Sequence, residues 1–299
     1  MTTGQFPGTE AHGIRPREYR LPDSTHLGRV RLQVADIERS LLFYSKVLGM
    51  CVIRGSADSV SLGAHGDKRE IIHLQQLKSA RPVPKRGLLG LYHFAILLPD
   101  RASLGRFVAH LAEIGERAGM SDHAVSEAVY LTDPDGLGIE VYADRPRDAW
   151  RYDEQQLYMT TGHLDVDDLV KSARGEPWRG MPPGTVLGHV HLYVDDIDKA
   201  EAFYHDALGF DKVVWSYPGA LFLSAGGYHH HLGTNTWSPG PAATDDQARL
   251  LEWELVVPDA DAAAAVAASL GRAGYAADVT GAGWAASDPW GTRLRIEPA

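Results

Sequence analysis

His189-Val-His-Leu-Tyr-Val-Asp-Asp196 is an alternating, largely apolar stretch that ends in aspartate, and the segment after it contains Phe203-Tyr204. The alternation predicts a strand, and the final aspartate can cap the helix that follows. The same arrangement recurs at Arg29-Val-Arg-Leu-Gln-Val-Ala-Asp36, where the following segment contains Phe43-Tyr44. Self-similarity of this kind indicates a fold built from copies of one supersecondary module.

Two weaker copies of the module begin at His93-Phe-Ala-Ile-Leu-Leu-Pro-Asp100 and Glu252-Trp-Glu-Leu-Val-Val-Pro-Asp259. In all four copies an aspartate stands seven residues after the first residue of the strand, in the position of a helix N-cap. The sequence predicts the helices at residues 37–50, 102–115, 197–210 and 260–274. Each helix leads into strands, which we predict at residues 59–62, 70–77, 129–131, 138–142, 220–224, 229–233, 284–287 and 293–297.

These elements predict an α+β fold of four βαβββ modules. Modules one (24–78) and two (89–145) make up an N-terminal half, 24–145, and modules three (185–237) and four (248–299) make up a C-terminal half, 185–299. Residues 146–184 form a linker rich in Arg, Asp, Pro and Gly, with one short helix expected around residues 165–173. Because a four-stranded module cannot bury its sheet face alone, the modules should pair into curved sheets around a cleft.

The composition indicates a soluble globular protein and excludes several kinds of site. The chain has 299 residues and a formal net charge of -10, so it lacks the basic surface expected of a nucleic-acid-binding protein. Its single cysteine, Cys51, excludes an intramolecular disulfide and a zinc site made of cysteines. We find neither a membrane-spanning segment nor the apolar run of a signal peptide, and therefore expect a cytoplasmic protein. The oligomeric state stays open, and a homo-oligomer is one assembly that the sequence allows.

The stretch from His123 to Glu140 places a histidine, a tyrosine and a carboxylate at a spacing that suits a metal site. Asp133-Pro-Asp-Gly136 is a turn, because proline presets one backbone angle and glycine frees another. The turn joins two strands into a hairpin, so Tyr130 and Glu140 should lie on neighbouring strands. An unpaired buried Glu140 would be costly, and a cross-strand ion pair is the alternative explanation for it. The matching spacing of His123 and Tyr130 favours a metal.

The arrangement resembles the vicinal oxygen chelate superfamily, which includes glyoxalase I, extradiol dioxygenases and bleomycin-resistance proteins. The resemblance runs from Leu27 to Glu297. The segment from His123 to Glu140 is similar to the extradiol ring-cleavage dioxygenase signature, except that Ser121 stands where Gly, Asn, Thr, Ile or Val is usual. Three further stretches resemble the catechol 2,3-dioxygenase branch of Gram-positive bacteria: Gly90-Leu-Tyr-His93, Ala143-Asp-Arg-Pro-Arg147 and Gly226-Gly-Tyr-His-His-His231.

Equivalent positions in the four modules indicate which of them can bind a metal. Modules two and three supply His93, His189 and Glu140, a set that resembles the two-histidine, one-carboxylate triad of non-haem Fe(II) oxygenases. We therefore expect modules two and three to pair across the linker, or the two halves to exchange modules, which leaves modules one and four as a degenerate partner site. The corresponding positions of modules one and four are expected to form a structural ion-pair cluster of Arg29, Glu252 and Arg295.

Three more residues are expected beside the metal because of the resemblance. His230 corresponds to the acid–base histidine of the family, Tyr130 to its hydrogen-bonding tyrosine and His123 to its other pocket histidine. For His230, which lies within a run of three histidines, the alternatives are a hydrated surface run and an adventitious metal site.

Two choices about the pocket remain. His191 lies two residues beyond His189 and faces the same way, but the position relative to Asp196 favours His189 as the ligand. Aromatic residues could also shape the pocket, although such residues more often belong to the core or to an interface; the candidates are Trp150, Tyr158, Tyr217 and Trp237.

The resemblance implies an enzyme that cleaves a small aromatic diol of the catechol type with O2. The metal would be Fe(II), with Mn(II) as the alternative, and the product would be a 2-hydroxymuconate semialdehyde type of compound. A glyoxalase-like metal-dependent isomerase or lyase is one rival, which a further carboxylate ligand in the cleft would favour. A non-enzymatic small-molecule binding or resistance protein is the other, and it would need no triad.

Overall fold

A computed structural model describes residues 12–85, 87–238 and 240–299; residues 1–11 of the polar N-terminal segment lie outside the described part. In chain order, the strands are β1 (His26–Val34), β2 (Cys51–Gly55), β3 (Ser59–Gly63), β4 (Ile72–Gln76), β5 (Gly90–Leu97), β6 (Gly119–Asp122), β7 (Ser126–Thr132), β8 (Gly138–Asp144), β9 (Tyr152–Asp153), β10 (Gln156–Leu157), β11 (Val186–Tyr193), β12 (Asp211–Val214), β13 (Ala220–Ser224), β14 (Leu232–Asn235), β15 (Arg249–Val257), β16 (Ala277–Thr280), β17 (Gly283–Ser287) and β18 (Arg293–Pro298). The α-helices are α1 (Ile37–Lys46), α2 (Arg101–Ile114), α3 (Val166–Ser172), α4 (Ile197–Ala200) and α5 (Ala260–Arg272).

Two eight-stranded sheets organise the described chain. Sheet I has the strand order β16-β17-β18-β15-β1-β4-β3-β2 and combines modules one and four. Sheet II has the order β12-β13-β14-β11-β5-β8-β7-β6 and combines modules two and three. The predicted α+β fold and the crossed pairing of modules are therefore confirmed. Each half of the sequence gives one module to each sheet, while the module boundaries that we set remain predictions.

All four predicted N-caps begin helices. Asp36, Asp100 and Asp259 each accept a hydrogen bond from the backbone N–H three residues later, and Asp196 accepts two such bonds from its first turn. The helix after Asp196 departs from the prediction, because α4 is short and continues as a π-helical stretch, Glu201–Ala207. The expected linker helix forms as α3. None of the helices in the described ranges has both the length and the apolar character needed to cross a membrane.

Alternation along the strands gives sheet II a core face and a cleft face. On β5, Phe94 and Ile96 belong to the main hydrophobic core, which also includes Phe107 of α2. His93 and Ala95 point to the opposite side of the same strand. The cleft face can therefore carry polar side chains without interrupting the core.

The tyrosine of each Phe-Tyr pair ties the two sheets together. Tyr44 of α1 donates a hydrogen bond to Asp133 Oδ2 at 3.2 Å, and Tyr204 donates to Asp288 Oδ2 at 2.8 Å. Each aspartate opens a turn between the last two strands of its module and accepts two backbone N–H groups of that turn through Oδ1. In both cases the helix belongs to one sheet and the turn to the other, so the repeated motif joins sheet I to sheet II.

The cleft face of sheet I carries ion pairs, but the predicted partners need a correction. Arg29 donates to Glu254 Oε1 at 2.8 Å instead of pairing with Glu252. The register between β1 and β15 explains the difference, because it shifts between Leu27 and Val30 and places Arg31 opposite Glu252. Arg295 is 3.9 Å from Glu252, as part of the same cluster.

Candidate metal centre

Three adjacent strands of sheet II bring the predicted ligands together. The pairing of β11 with β5 sets His189 opposite Ala95, and the pairing of β5 with β8 sets Ala95 opposite Glu140. His189 and Glu140 therefore flank Ala95 in one row across the sheet. His93 lies two residues before Ala95 on the same face. The small side chain of Ala95 leaves room between the three larger ones.

The ligand atoms of these residues converge in a buried part of the cleft. One such atom from each of His93, Glu140 and His189 lies within 4.8 Å of the other two. Glu140 Oε2 is 3.0 Å from His93 Nε2 and 3.1 Å from His189 Nε2. The side chains are only 6%, 3% and 2% exposed for His93, Glu140 and His189, respectively.

The hydrogen bonding of this cluster fits a metal. His93 Nδ1, His93 Nε2 and His189 Nδ1 are buried and find no hydrogen-bond partner among the described residues. Buried polar atoms are rarely left without a partner, so each such atom needs an explanation. Coordination of one divalent cation would explain why His93 Nε2 has no hydrogen-bond partner although it lies close to the Glu140 carboxylate. The donor set, two imidazoles and one carboxylate, is that of non-haem Fe(II) sites.

The surroundings favour the protonation states that metal ligands require. Burial alone would raise the pKa of Glu140, but His189 and His93 hold that pKa well below its usual range. Burial lowers the pKa of His189 to about 4, against the opposing effect of Glu140. Metals bind ionised carboxylates and neutral imidazoles. Glu140 and His189 therefore have the protonation states that a bound cation requires at neutral pH.

A cavity of about 220 Å³ opens beside His93 and Glu140. Its walls come from sheet II and from the linker segment after β10. Among the described lining residues, Glu140 is the only carboxylate, and neither Lys nor Arg is present. Such a cavity suits a small aromatic molecule without a charged substituent. The lining residues are Tyr92, His93, Ser121, His123, Ser126, Tyr130, Glu140, Met159, Thr160, Thr161, His191, Tyr217, Phe222, His230 and Trp237.

His123 and Tyr130 lie together in one wall of the cavity. His123 Nδ1 donates to the carbonyl oxygen of Thr160 at 2.7 Å, because that oxygen can only accept. In a neutral ring Nε2 is then an acceptor, and the Tyr130 hydroxyl donates a hydrogen bond to it at 2.6 Å. Burial and the charge of Glu140 raise the pKa of Tyr130 well above its ordinary value, so the hydroxyl keeps its proton. Thr160 belongs to the predicted linker, which thus completes part of the site.

His230 lies in another wall, with its ring centroid 4.1 Å from that of His189. Its Nδ1 is 2.8 Å from His229 Nδ1, and His229 Nε2 is 2.9 Å from Asp144 Oδ1. The histidine run is not on the predicted strand 229–233, because β14 begins only at Leu232. The run instead occupies the turn before β14, which allows His229 and His230 to contact each other.

The remaining predicted pocket residues divide into two groups. His191 faces the cavity, but its Nε2 accepts a hydrogen bond from Asn235 at 2.9 Å and it stands outside the ligand cluster. Tyr217 and Trp237 line the cavity as predicted. Two others do not: Trp150 packs against His229 behind the cavity, and Tyr158 is 44% exposed on the surface. The sequence reasoning missed Asp144, Met159 and Thr160.

Comparisons with known proteins agree with this fold. The family model of the Glyoxalase/Bleomycin resistance protein/Dioxygenase superfamily matches residues 26–141 and 186–296. Catechol-2,3-dioxygenase of Bacillus subtilis (strain 168) is 44% identical over 272 residues, which cover 89% of this chain and 95% of that protein.

Solved structures of low sequence identity share the architecture. A crystal structure from Bacillus subtilis subsp. subtilis str. 168 aligns with a TM-score of 0.64 at 14% identity, covering 94% of this chain and 86% of that one. Glyoxalase I from Zea mays aligns with a TM-score of 0.56 at 16% identity, covering 91% of this chain and 92% of that one. The chain therefore belongs to the Glyoxalase/Bleomycin resistance protein/Dioxygenase superfamily.

Proposed function

We propose that the protein is an extradiol dioxygenase, which cleaves the ring of a catechol-type substrate with O2. The observation that carries the proposal is the buried group of His93, Glu140 and His189 beside an aromatic-walled cavity. The relative with 44% identity, which is named Catechol-2,3-dioxygenase, supports the same reaction. The expected product is a 2-hydroxymuconate semialdehyde type of compound, and we place the enzyme in the cytoplasm.

The two imidazoles and the carboxylate would hold Fe(II), with Mn(II) as the alternative. When bound, such a cation would supply Lewis-acid chemistry that lowers the pKa of the hydroxyl groups of a catechol. Since Glu140 is the only carboxylate among the described lining residues, a divalent cation would keep a net positive charge there. That charge is complementary to a catecholate anion.

Side chains of the cavity walls would orient the substrate and move its protons. Phe222 and Trp237 offer apolar surface against which an aromatic ring can pack. The Tyr130 hydroxyl donates its hydrogen bond to His123, so its oxygen remains free to accept a hydrogen bond from a substrate hydroxyl. His230 uses one ring nitrogen to contact His229 and can use the other to exchange a proton with the substrate.

A glyoxalase-like isomerase or lyase is the second candidate, favoured by the fold shared with glyoxalase I from Zea mays. That reading calls for a further carboxylate ligand. Within the described part of the cavity wall, Glu140 is the only carboxylate, which favours the dioxygenase. A protein that only binds a small molecule would not need three buried ligand atoms around one point.

Metal reconstitution separates these candidates. Metal-free protein would be loaded anaerobically with Fe(II), Mn(II), Zn(II) or Ni(II), mixed with catechols and then exposed to O2. We expect O2 consumption and a yellow product with Fe(II) or Mn(II) only. Activity on a glyoxalase substrate with Zn(II) or Ni(II) would establish the isomerase, and the absence of tight metal binding would establish the binding protein.

Two matched variants test the ligand set. Glu140→Gln removes the anionic ligand and should lose iron and turnover together. Glu297→Gln is the control, because Glu297 lies on β18, the strand of sheet I that corresponds to β8. The sequence predicts a solvated Glu297, but the side chain is only partly exposed and forms an ion pair with Arg295 at 2.5 Å. Equal iron loss in the two variants, with thermal stability unchanged, would refute the assignment.

A further inference from the structure

We propose that Asp144 and His229 are positioning residues that fix the ring tautomer of His230, so that its Nε2 enters the reaction as a proton acceptor. The catalytic consequence rests on the dioxygenase activity proposed above. The tautomer itself depends only on hydrogen bonds within this chain, and it can be measured whether or not the activity is found.

The chain of hydrogen bonds starts at a group that only accepts. Asp144 ends β8, and its side chain is 27% exposed, so it is in contact with solvent. An ionised carboxylate only accepts hydrogen bonds and has no proton to give. Its Oδ1 is 2.9 Å from His229 Nε2. Nε2 must therefore be the nitrogen of His229 that carries the proton.

The single proton of His229 then determines the tautomer of His230. A neutral imidazole carries one ring proton, so His229 Nδ1 is left as an acceptor. Its partner at 2.8 Å, His230 Nδ1, must donate. A neutral His230 ring with its one proton on Nδ1 carries none on Nε2. Its Nε2 consequently has a lone pair, and His230 lines the cavity.

Two tyrosine hydroxyl groups near Asp144 also donate toward its carboxylate, in the same direction as His229. Tyr228 donates to Asp144 Oδ1 at 3.2 Å, and the Tyr228 oxygen accepts a hydrogen bond from Tyr142 at 2.6 Å. Burial raises the pKa of both tyrosines well above the ordinary value, so both keep their protons. The absence of a side chain at Gly188 leaves space for the Tyr142 hydroxyl, because a Cβ at position 188 would lie 1.8 Å from its oxygen. All of these donors lead to the carboxylate of Asp144.

The tautomer sets the direction of the first proton transfer. A substrate hydroxyl beside the ligands gives its proton to His230 Nε2, so one O–H bond breaks and one N–H bond forms. The resulting imidazolium is stabilised by Asp144 through His229, in the way that an aspartate orients and stabilises the histidine of a Ser-His-Asp triad. The opposite tautomer would present an N–H to the substrate and could not take this proton.

Nuclear magnetic resonance of the metal-free protein with ¹⁵N-labelled histidine tests the tautomer directly. Long-range proton–nitrogen correlations at pH 8 distinguish a ring protonated at Nδ1 from one protonated at Nε2, and His230→Phe identifies the signals of His230. We expect the proton on Nδ1 of His230 and on Nε2 of His229. A proton on Nε2 of His230, averaging between its two tautomers, or two protons on His229 would overturn the proposal.

Two substitutions of Asp144 connect the tautomer to catalysis. In Asp144→Asn the amide oxygen can accept from both donors, so the His230 signals and most of the turnover should persist. Asp144→Leu has no acceptor, and we expect a mixed tautomer with kcat lowered about 10²-fold and little change in KM. Wild-type signals and wild-type kcat in Asp144→Leu would refute the proposal. If the wild-type protein cleaves no catechol, the proposed function fails, while the spectra still decide the tautomer.

Discussion

Removal of one hydroxyl group, in Tyr44→Phe, should weaken the connection between the two sheets in a pH-dependent way. Tyr44 is fully buried, and its hydroxyl donates to Asp133 Oδ2 at 3.2 Å. Phenylalanine keeps the ring and creates no large cavity, so the lost hydrogen bond dominates the effect. A hydrogen bond to a charged group contributes about 1.5–3 kcal/mol, and a neutral one about 0.5–1.5 kcal/mol.

The protonation of Asp133 determines which value applies. Burial, with the nearby charge of Asp135, raises the pKa of Asp133 from 3.8 to about 6. The folded state therefore binds this proton more tightly than the unfolded state, and the stability contributed by the group falls as pH rises from about 4 to about 6. The Tyr44 bond opposes that loss, because it favours the ionised carboxylate. Tyr44→Phe should thus cost about 1.5–3 kcal/mol at pH 8 and about 0.5–1.5 kcal/mol at pH 5.

Urea unfolding followed by tryptophan fluorescence at both pH values gives the two free energies. Tyr158→Phe is the control, since Tyr158 is 44% exposed and its hydroxyl should contribute little. Metal content should stay unchanged in Tyr44→Phe, because the Tyr44 hydroxyl contacts Asp133 in the turn between β7 and β8 and not a ligand residue. A loss smaller than about 0.5 kcal/mol at pH 8, within the range of ordinary surface substitutions, would refute the reasoning. A larger loss at pH 5 than at pH 8 would also refute it.

Three further outcomes follow from the site. His230→Phe should keep the metal and lose about 10²–10⁴-fold in turnover; near wild-type turnover with bound iron would exclude an acid–base role. Alkylcatechols should be cleaved with a higher kcat/KM than catechols carrying a carboxylate, since no Lys or Arg is among the described lining residues, and the reverse order would contradict that view of the cavity. Gly188→Ala should lower the thermal midpoint, because its Cβ would lie 1.8 Å from the Tyr142 hydroxyl oxygen; an unchanged midpoint would show that Tyr142 can move at little cost.

Local signals in the sequence were sufficient for the repeated elements. An aspartate seven residues into each copy predicts a helix start, and the structure confirms all four, because the capping hydrogen bond forms within the same turn. The pairing of modules could also be predicted, because modules two and three carry metal-ligand residues at positions where modules one and four carry other charged residues. The choice of His93, His189 and Glu140 depends on their strands being adjacent, as the register through Ala95 makes them.

Contacts that depend on strand register or on irregular segments could not be predicted from the sequence. The partner of Arg29 depends on a shift in the pairing of β1 with β15, which leaves no mark in the residue pattern. The linker residue Thr160 reaches His123 because the chain returns to sheet II after β10, and loop paths have no periodic signal. Asp144 offered one signal, since it lies four residues after Glu140 and therefore on the same face of β8.

Because of the crossed pairing of modules, the sequence segment that forms sheet II lies between the two segments that form sheet I. Sheet II is encoded by one continuous stretch, from the start of β5 at Gly90 to the end of β14 at Asn235. Sheet I needs the two ends of the chain, because Val30 pairs with Trp253 at its centre. Because β15 belongs to the last module, the edge of β1 that pairs with it stays unpaired until that module has been synthesised, and such long-range pairing is slow to form. The strands that carry the ligand residues can thus assemble first, with the sheet that supports them closing around them afterwards.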